Sequence, residues 1–145
     1  MKKKITCAAQ CTWRPPQEDI YKINSDRSFD PTKRSGGWGF VIRNNNGEVL
    51  AAGAGNISYA LSALHAEAIA AYKGVLQAAQ LGMSQIVLEM DATMLVAALK
   101  SSSVDRSSIG ALVFKIRDIM QFEFSSCIVS SCNRNCNKVL RWQTV

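Results

Sequence analysis

No stretch of this chain approaches the roughly 20 consecutive apolar residues that a membrane-spanning helix requires. The opening Met1-Lys2-Lys3-Lys4 has the charge of a signal-peptide n-region. The stretch after it, Ile5-Thr6-Cys7-Ala8-Ala9-Gln10, is too short and too polar for the apolar part of such a signal. These two absences point to an intracellular protein, nuclear or cytoplasmic, with no membrane partner. There is no internal repeat. Histidine is nearly absent: His65 stands alone. It lies two residues from Glu67, about 200° around a helix, and is assigned to packing or capping rather than catalysis. Cysteine comes in an odd number, five. Cys7/Cys11 and Cys132/Cys136 share a four-residue spacing, so a four-thiolate zinc site is open, but neither pair has the usual two-residue gap. The plainer expectation is reduced, unpaired thiols, Cys127 among them.

What is present is ordinary for a globular domain. An apolar share of 48% with 19% charged residues excludes wholesale disorder. At 145 residues the chain can bury one substantial core, and a monomer is expected. The net charge of +6 is unevenly spread. Four of the 17 bases (Lys2, Lys3, Lys4 and Arg14) fall in the first 14 residues, which carry no acid. The remaining 13 bases face 11 acids. This balance permits nucleic-acid binding without requiring it.

Residues 1–19 are expected to form a lead-in, with Trp13-Arg14-Pro15-Pro16 extended, and residues 20–145 one domain. Alternation from Ile20 to Phe29 predicts a strand, with Tyr21, Ile23 and Ser25 on one side and Lys22, Asn24 and Asp26 on the other. A turn through Pro31 and Gly36-Gly37 leads into a second strand carrying Trp38, Phe40 and Ile42. Asn44-Asn45-Asn46-Gly47 is a hairpin signal, and a third strand returns from Glu48 to about Gly55. Leu61, Leu64, Ala68, Ala71, Val75 and Ala79 recur at helical spacing from Ala60 to Leu81, with Ser58 or Ser62 as N-cap and Gly82 as stop. Gln85–Asp91 shows no alternation and predicts an inner strand buried on both faces. Helices are expected over Ala92–Lys100 and through Ile109, Leu112, Val113, Ile116 and Met120. A fifth strand is expected at Phe124–Ser130 and a truncated helix from Asn133 to Val145. Trp38, Phe40 and Tyr59 are expected to pack in the sheet and core rather than stack on bases. The fold class is α/β: a three-strand antiparallel meander plus parallel strands in one mixed five-stranded sheet, with helices packed on it.

Three acids occupy informative places. Asp26 lies inside the first strand, and Glu67 lies on or beside the core-facing stripe of the main helix, where a lone carboxylate is costly. Asp91 ends the inner parallel strand, where α/β sheets gather their sites. Clustered carboxylates suit a hard cation such as Mg²⁺, and two such ions about 4 Å apart can clamp a phosphodiester. Asp91 is equally placed to cap the helix after it. Glu89, two residues before it on the same side of the strand, is either an extra ligand or half of a supporting salt bridge.

Several segments occur in order that together resemble a known family: Trp13-x-Pro15-Pro16, Lys22-Ile23-Asn24-Ser25-Asp26, Gly36-Gly37-Trp38-Gly39-Phe40-Val41-Ile42-Arg43, Ala63-x-x-Ala66-Glu67-Ala68 and Leu88-Glu89-Met90-Asp91. They are similar to the plant ribonuclease H-like domain, related to the reverse-transcriptase-associated ribonuclease H of retrotransposons and to type 1 ribonuclease H. The resemblance implies a ribonuclease H-like fold and endonucleolytic cleavage of the RNA strand of an RNA–DNA hybrid. It also implies Mg²⁺ (or Mn²⁺) held by Asp26, Glu67 and Asp91 as metal-binding catalytic residues. Lys22, Arg27 and Arg43 are the expected nucleic-acid contacts. Two positions depart from the pattern. Arg27 stands where the family has Gly, and can either obstruct the substrate or contact phosphate. Arg134-Asn135-Cys136-Asn137-Lys138-Val139-Leu140-Arg141 aligns with the C-terminal motif, putting Arg141 where the fourth acid belongs, and a cation there opposes metal binding. The alternatives are a hybrid-binding module without turnover and a retrotransposon-derived remnant.

Overall fold

The computed structural model describes residues 12–137. The expectations for Cys7, Cys11, Arg141 and the end of the C-terminal helix lie outside that range. Three strands form first: β1 (Tyr21–Asp30), β2 (Ser35–Arg43) and β3 (Val49–Ile57), each antiparallel to its neighbour. The first turn is shorter than expected, because Gly36 and Gly37 already pair with Phe29 and Ser28 inside β2. Asp30 Oδ1 accepts from the backbone N–H of Thr32 at 2.9 Å. The Asn44 side chain accepts from the N–H groups of Asn46 and Glu48, both at 2.9 Å, while Gly47 takes the positive φ of 78° that closes the hairpin.

Helix α1 (Ala63–Gln80) comes next. Ser62 is its N-cap: its hydroxyl accepts from the His65 N–H at 3.1 Å, while His65 Nδ1 accepts from the Leu61 N–H at 2.9 Å. His65 therefore caps. The buried stripe of α1 is mostly Ala, with Gly74 facing Ile23, where a Cβ would stand 2.8 Å from Ile23 Cγ2. Small side chains let the helix lie close on β1 and carry Glu67 in with it.

β4 (Gln85–Met90), α2 (Thr93–Lys100), α3 (Gly110–Phe122) and β5 (Ser126–Ser131) complete the order. The sheet runs β3-β2-β1-β4-β5, with β1, β4 and β5 mutually parallel. One core joins Ile23, Phe40 and Ile42 of the sheet to Ala71 and Val75 of α1, Leu95 of α2 and Val113 and Ile116 of α3.

Several expectations need correction. β4 does alternate: Ile86, Leu88 and Met90 are buried in the core, while Gln85, Val87 and Glu89 are half-buried. A continuous run of long side chains hid a strand whose second face carries polar contacts. β1 shows the reverse, since Lys22 through Asp26 are all buried because both of its faces are covered. Tyr59 is not in the core but 57% exposed in the connection before α1. Asn133 does not begin an α-helix; Arg134–Cys136 is a single 3₁₀ turn, and Asn137 is extended. Trp13, expected in a lead-in, is tied to the sheet, its indole Nε1 donating to Asn24 Oδ1 at 2.8 Å. Cys127 and Cys132 are free thiols. Burial pushes the Cys132 thiol up to about 12, with Glu89 and Asp91 adding to the effect.

Candidate active site

Three elements deliver one carboxylate each. Asp26 sits in β1 opposite Gly39 of β2, Glu67 comes from the second turn of α1, and Asp91 directly succeeds the last residue of β4. One carboxylate oxygen from each lies within 4.8 Å of the others. Asp91 is not a helix cap: Ala92 holds that position in α2, with no side-chain bond to the first turn. Glu67 and Asp91 line a cleft of about 320 Å³, together with Arg27, Leu64, Met94 and Arg134. A larger cavity of about 640 Å³, lined by Leu99, Phe114 and Phe124 among others, holds none of the three acids.

The electrostatics of the cluster are those of like charges held together. Glu67 is 6% exposed, and its Oε1 is buried without a hydrogen-bond partner. Burial, then the neighbouring Asp91 and Asp26 charges, push its carboxyl up to about 8, against the weaker pull of Arg27 and Arg134. Asp26 is raised from its ordinary value by burial first. The Arg27 N–H, donating to Asp26 Oδ1 at 2.8 Å, opposes that rise, and Asp91 adds to it. A buried carboxylate oxygen with no donor, facing two more carboxylates, is a set of hard oxygen ligands that fits a divalent cation such as Mg²⁺ or Mn²⁺.

The expected nucleic-acid contacts divide. Arg27 is at the cluster, its Nε 3.5 Å from Glu67 Oε2. Lys22 and Arg43 are not. They pair with each other across β1 and β2, four residues or about 13 Å along the strand from Asp26. There the Lys22 ammonium donates to the Arg14 carbonyl at 2.8 Å and lies 3.3 Å from Glu89 Oε2. Both cations sit over the Trp13 ring, at 5.4 and 5.3 Å from its centroid. Glu89 is thus the partner of a salt bridge and lies outside the three-acid group. Trp38 and Phe40 stack on each other at 6.1 Å.

Sequence reasoning passed over Arg134 as a site residue. Its charge acts on both Asp26 and Glu67, and the 3₁₀ turn that carries it is pinned to β1 by Asn137, whose Nδ2 donates to the Ser25 carbonyl at 2.8 Å. Asn137 Oδ1 also accepts from Asn24 Nδ2 at 3.1 Å. The signal was the C-terminal motif itself, in which Arg134 and Asn137 are three residues apart.

Solved structures share this architecture. The N-terminal RNase H domain of a Mycobacterium tuberculosis protein superposes with a TM-score of 0.75 at 19% identity, covering 81% of this chain and 85% of that one. RNase H1 from the halophilic archaeon Halobacterium salinarum gives 0.74 at 19% identity, over 82% and 89%. LC11-RNase H1, in complex with an RNA/DNA hybrid, gives 0.72 at 18% identity, over 81% and 88%. These likenesses show the fold, a ribonuclease H-like mixed five-stranded sheet with helices packed on it. No curated protein matches the chain by sequence. The family described as reverse transcriptase-like matches residues 24–143, a span that contains all three acids and both arginines of the cleft, and the chain belongs to that family.

Proposed function

We propose that the chain is a metal-dependent endonuclease of ribonuclease H type, hydrolysing the RNA strand of an RNA–DNA hybrid. Asp26, Glu67 and Asp91 are its metal-holding catalytic carboxylates. The observation that carries this reading is their convergence within 4.8 Å, with Glu67 Oε1 left without a partner. Relatives of the same fold support the substrate class, one of them being a complex with an RNA/DNA hybrid. The ordered sequence motifs favour the plant, retrotransposon-related branch. When bound, Mg²⁺ or Mn²⁺ supplies Lewis-acid stabilisation of the scissile phosphate and a water acidified for attack. The chain's own groups do the rest. Asp26, Glu67 and Asp91 would hold the cation, and Arg27 and Arg134, which line the cleft, would present guanidinium groups to the phosphate backbone.

A second reading is favoured by one observation, the Arg27 guanidinium 3.5 Å from Glu67. A cation already seated among the ligands favours a hybrid-binding module without turnover. Incubation of a labelled RNA–DNA hybrid with the protein in Mg²⁺ or Mn²⁺, against an EDTA control, separates the two. Metal-dependent cleavage supports the nuclease. Binding that weakens steeply with salt, with no product in either metal, leaves the binding module.

A further inference from the structure

Glu67 presents its two carboxylate oxygens to different surroundings. Oε1 is buried without a hydrogen-bond partner, whereas Oε2 lies 3.5 Å from Arg27 Nε. Arg134 lines the same cleft, and its charge acts on Asp26 and Glu67. Among the described residues, three carboxylates therefore face two guanidinium groups. One divalent cation added to that set leaves a single positive charge in excess. A second would leave three, in a site where two of the acids are nearly inaccessible to water, and uncompensated buried charge is costly.

We propose that Arg27 takes the place of one of the two cations a three-carboxylate phosphodiesterase site would otherwise gather. The cluster then binds one divalent cation, through Asp26, Asp91 and the unpartnered oxygen of Glu67. Arg27 holds the other Glu67 oxygen and sets the affinity by competing for that carboxylate. The proposal rests on the nuclease reading of the site and concerns its cation stoichiometry. The Arg27 side chain is 25% exposed although its Nε is buried, and it belongs to neither apolar core cluster, so the core does not depend on it.

The test is direct titration of the protein with Mn²⁺, monitored by the electron paramagnetic resonance signal of the free ion, with no substrate present. The wild type should bind one Mn²⁺ per chain at the cluster. Arg27→Ala and Arg27→Gln should bind it roughly ten-fold tighter, in the range of ordinary coupling between sites. Arg27→Lys, which restores the charge, should return towards the wild-type affinity. Asp91→Asn added to Arg27→Gln should remove the gain, which locates it at the cluster. Arg27→Gln keeps most of the side-chain stem and carries the measurement if the alanine variant does not fold. Two Mn²⁺ in the wild type, or unchanged or weaker affinity in Arg27→Gln, would overturn the proposal while leaving the nuclease reading intact. Absence of Mn²⁺ binding in every variant would overturn both.

Discussion

Two clusters of buried polar side chains share strand β1 and end up chemically opposite. Near its start, Lys22 pairs with Glu89, and Asn24 donates to Glu89 at 2.8 Å and to Asn137 while accepting from Trp13. Further along, Asp26 meets Glu67 and Asp91, groups of its own sign. Depth does not separate them, since Lys22 is 8% and Asp26 3% exposed. Complementarity does. In the first cluster each charge has its counter-charge and each amide its partner, so the network only holds Trp13 and the 3₁₀ turn against the sheet. In the second the fold spends stability on holding carboxylates together, and a buried oxygen is left without a donor. A completed polar network specifies structure, whereas one short of positive charge is prepared for a ligand.

Substitutions at Glu89 and Asp91, two residues apart at the end of β4, test that contrast most sharply. Asp91→Asn should lower hybrid cleavage by roughly a thousand-fold, as loss of an electrostatic contributor at a reacting centre does. Glu89→Gln should keep most of the turnover per folded molecule. Equal losses in a single-turnover assay would erase the distinction between the clusters. Stability should move the other way round. Lys22→Met removes the counter-charge of Glu89 and should cost about 3 kcal/mol in urea unfolding, the scale of a broken buried pair. Glu67→Gln, measured in EDTA above about pH 8 where the carboxyl is ionised, should instead stabilise the protein by roughly 1–2 kcal/mol, because it removes a buried like charge.

The pH dependence of stability without divalent cations should be gentler but has a definite sign. In the unfolded chain Glu67 ionises near its ordinary 4.5, while the folded protein keeps the proton up to about 8. The folded state therefore binds more protons across that window. Its stability is fully present below about pH 4.5 and declines as pH rises towards about 8. Thermal melts in EDTA at pH 5 and pH 8 should show the decline. It should shrink in Glu67→Gln, and Mn²⁺ should reverse it in the wild type at pH 8. A flat profile would mean that neither burial nor the neighbouring acids raise the Glu67 carboxyl.

Repeating patterns make much of the fold legible in the chain itself. The hairpin at Asn44–Gly47, the helical recurrence of small and apolar residues over α1, and the strand–helix boundary at Asp91 each depend on contacts a few residues apart, and local sequence dictates those. The same locality placed each acid correctly on its element. Other features depend on residues far apart in the chain. Val87 and Glu89 looked like part of a strand buried on both faces because the chain does not state which side of β4 the helices cover. Lys22 and Arg43 looked like phosphate contacts because a sequence shows charges without their partners. Their partners, Glu89 and Trp13, are 67 and 30 positions from Lys22 and Arg43 respectively. The sequence by itself determined which residues carry charge, which elements they ride on and the order of those elements. Only the tertiary structure decided which charges meet. Parallel pairing of β1 with β4 and the close seat of α1 on β1 brought three acids together, and the 3₁₀ turn pinned by Asn137 set Arg134 beside them.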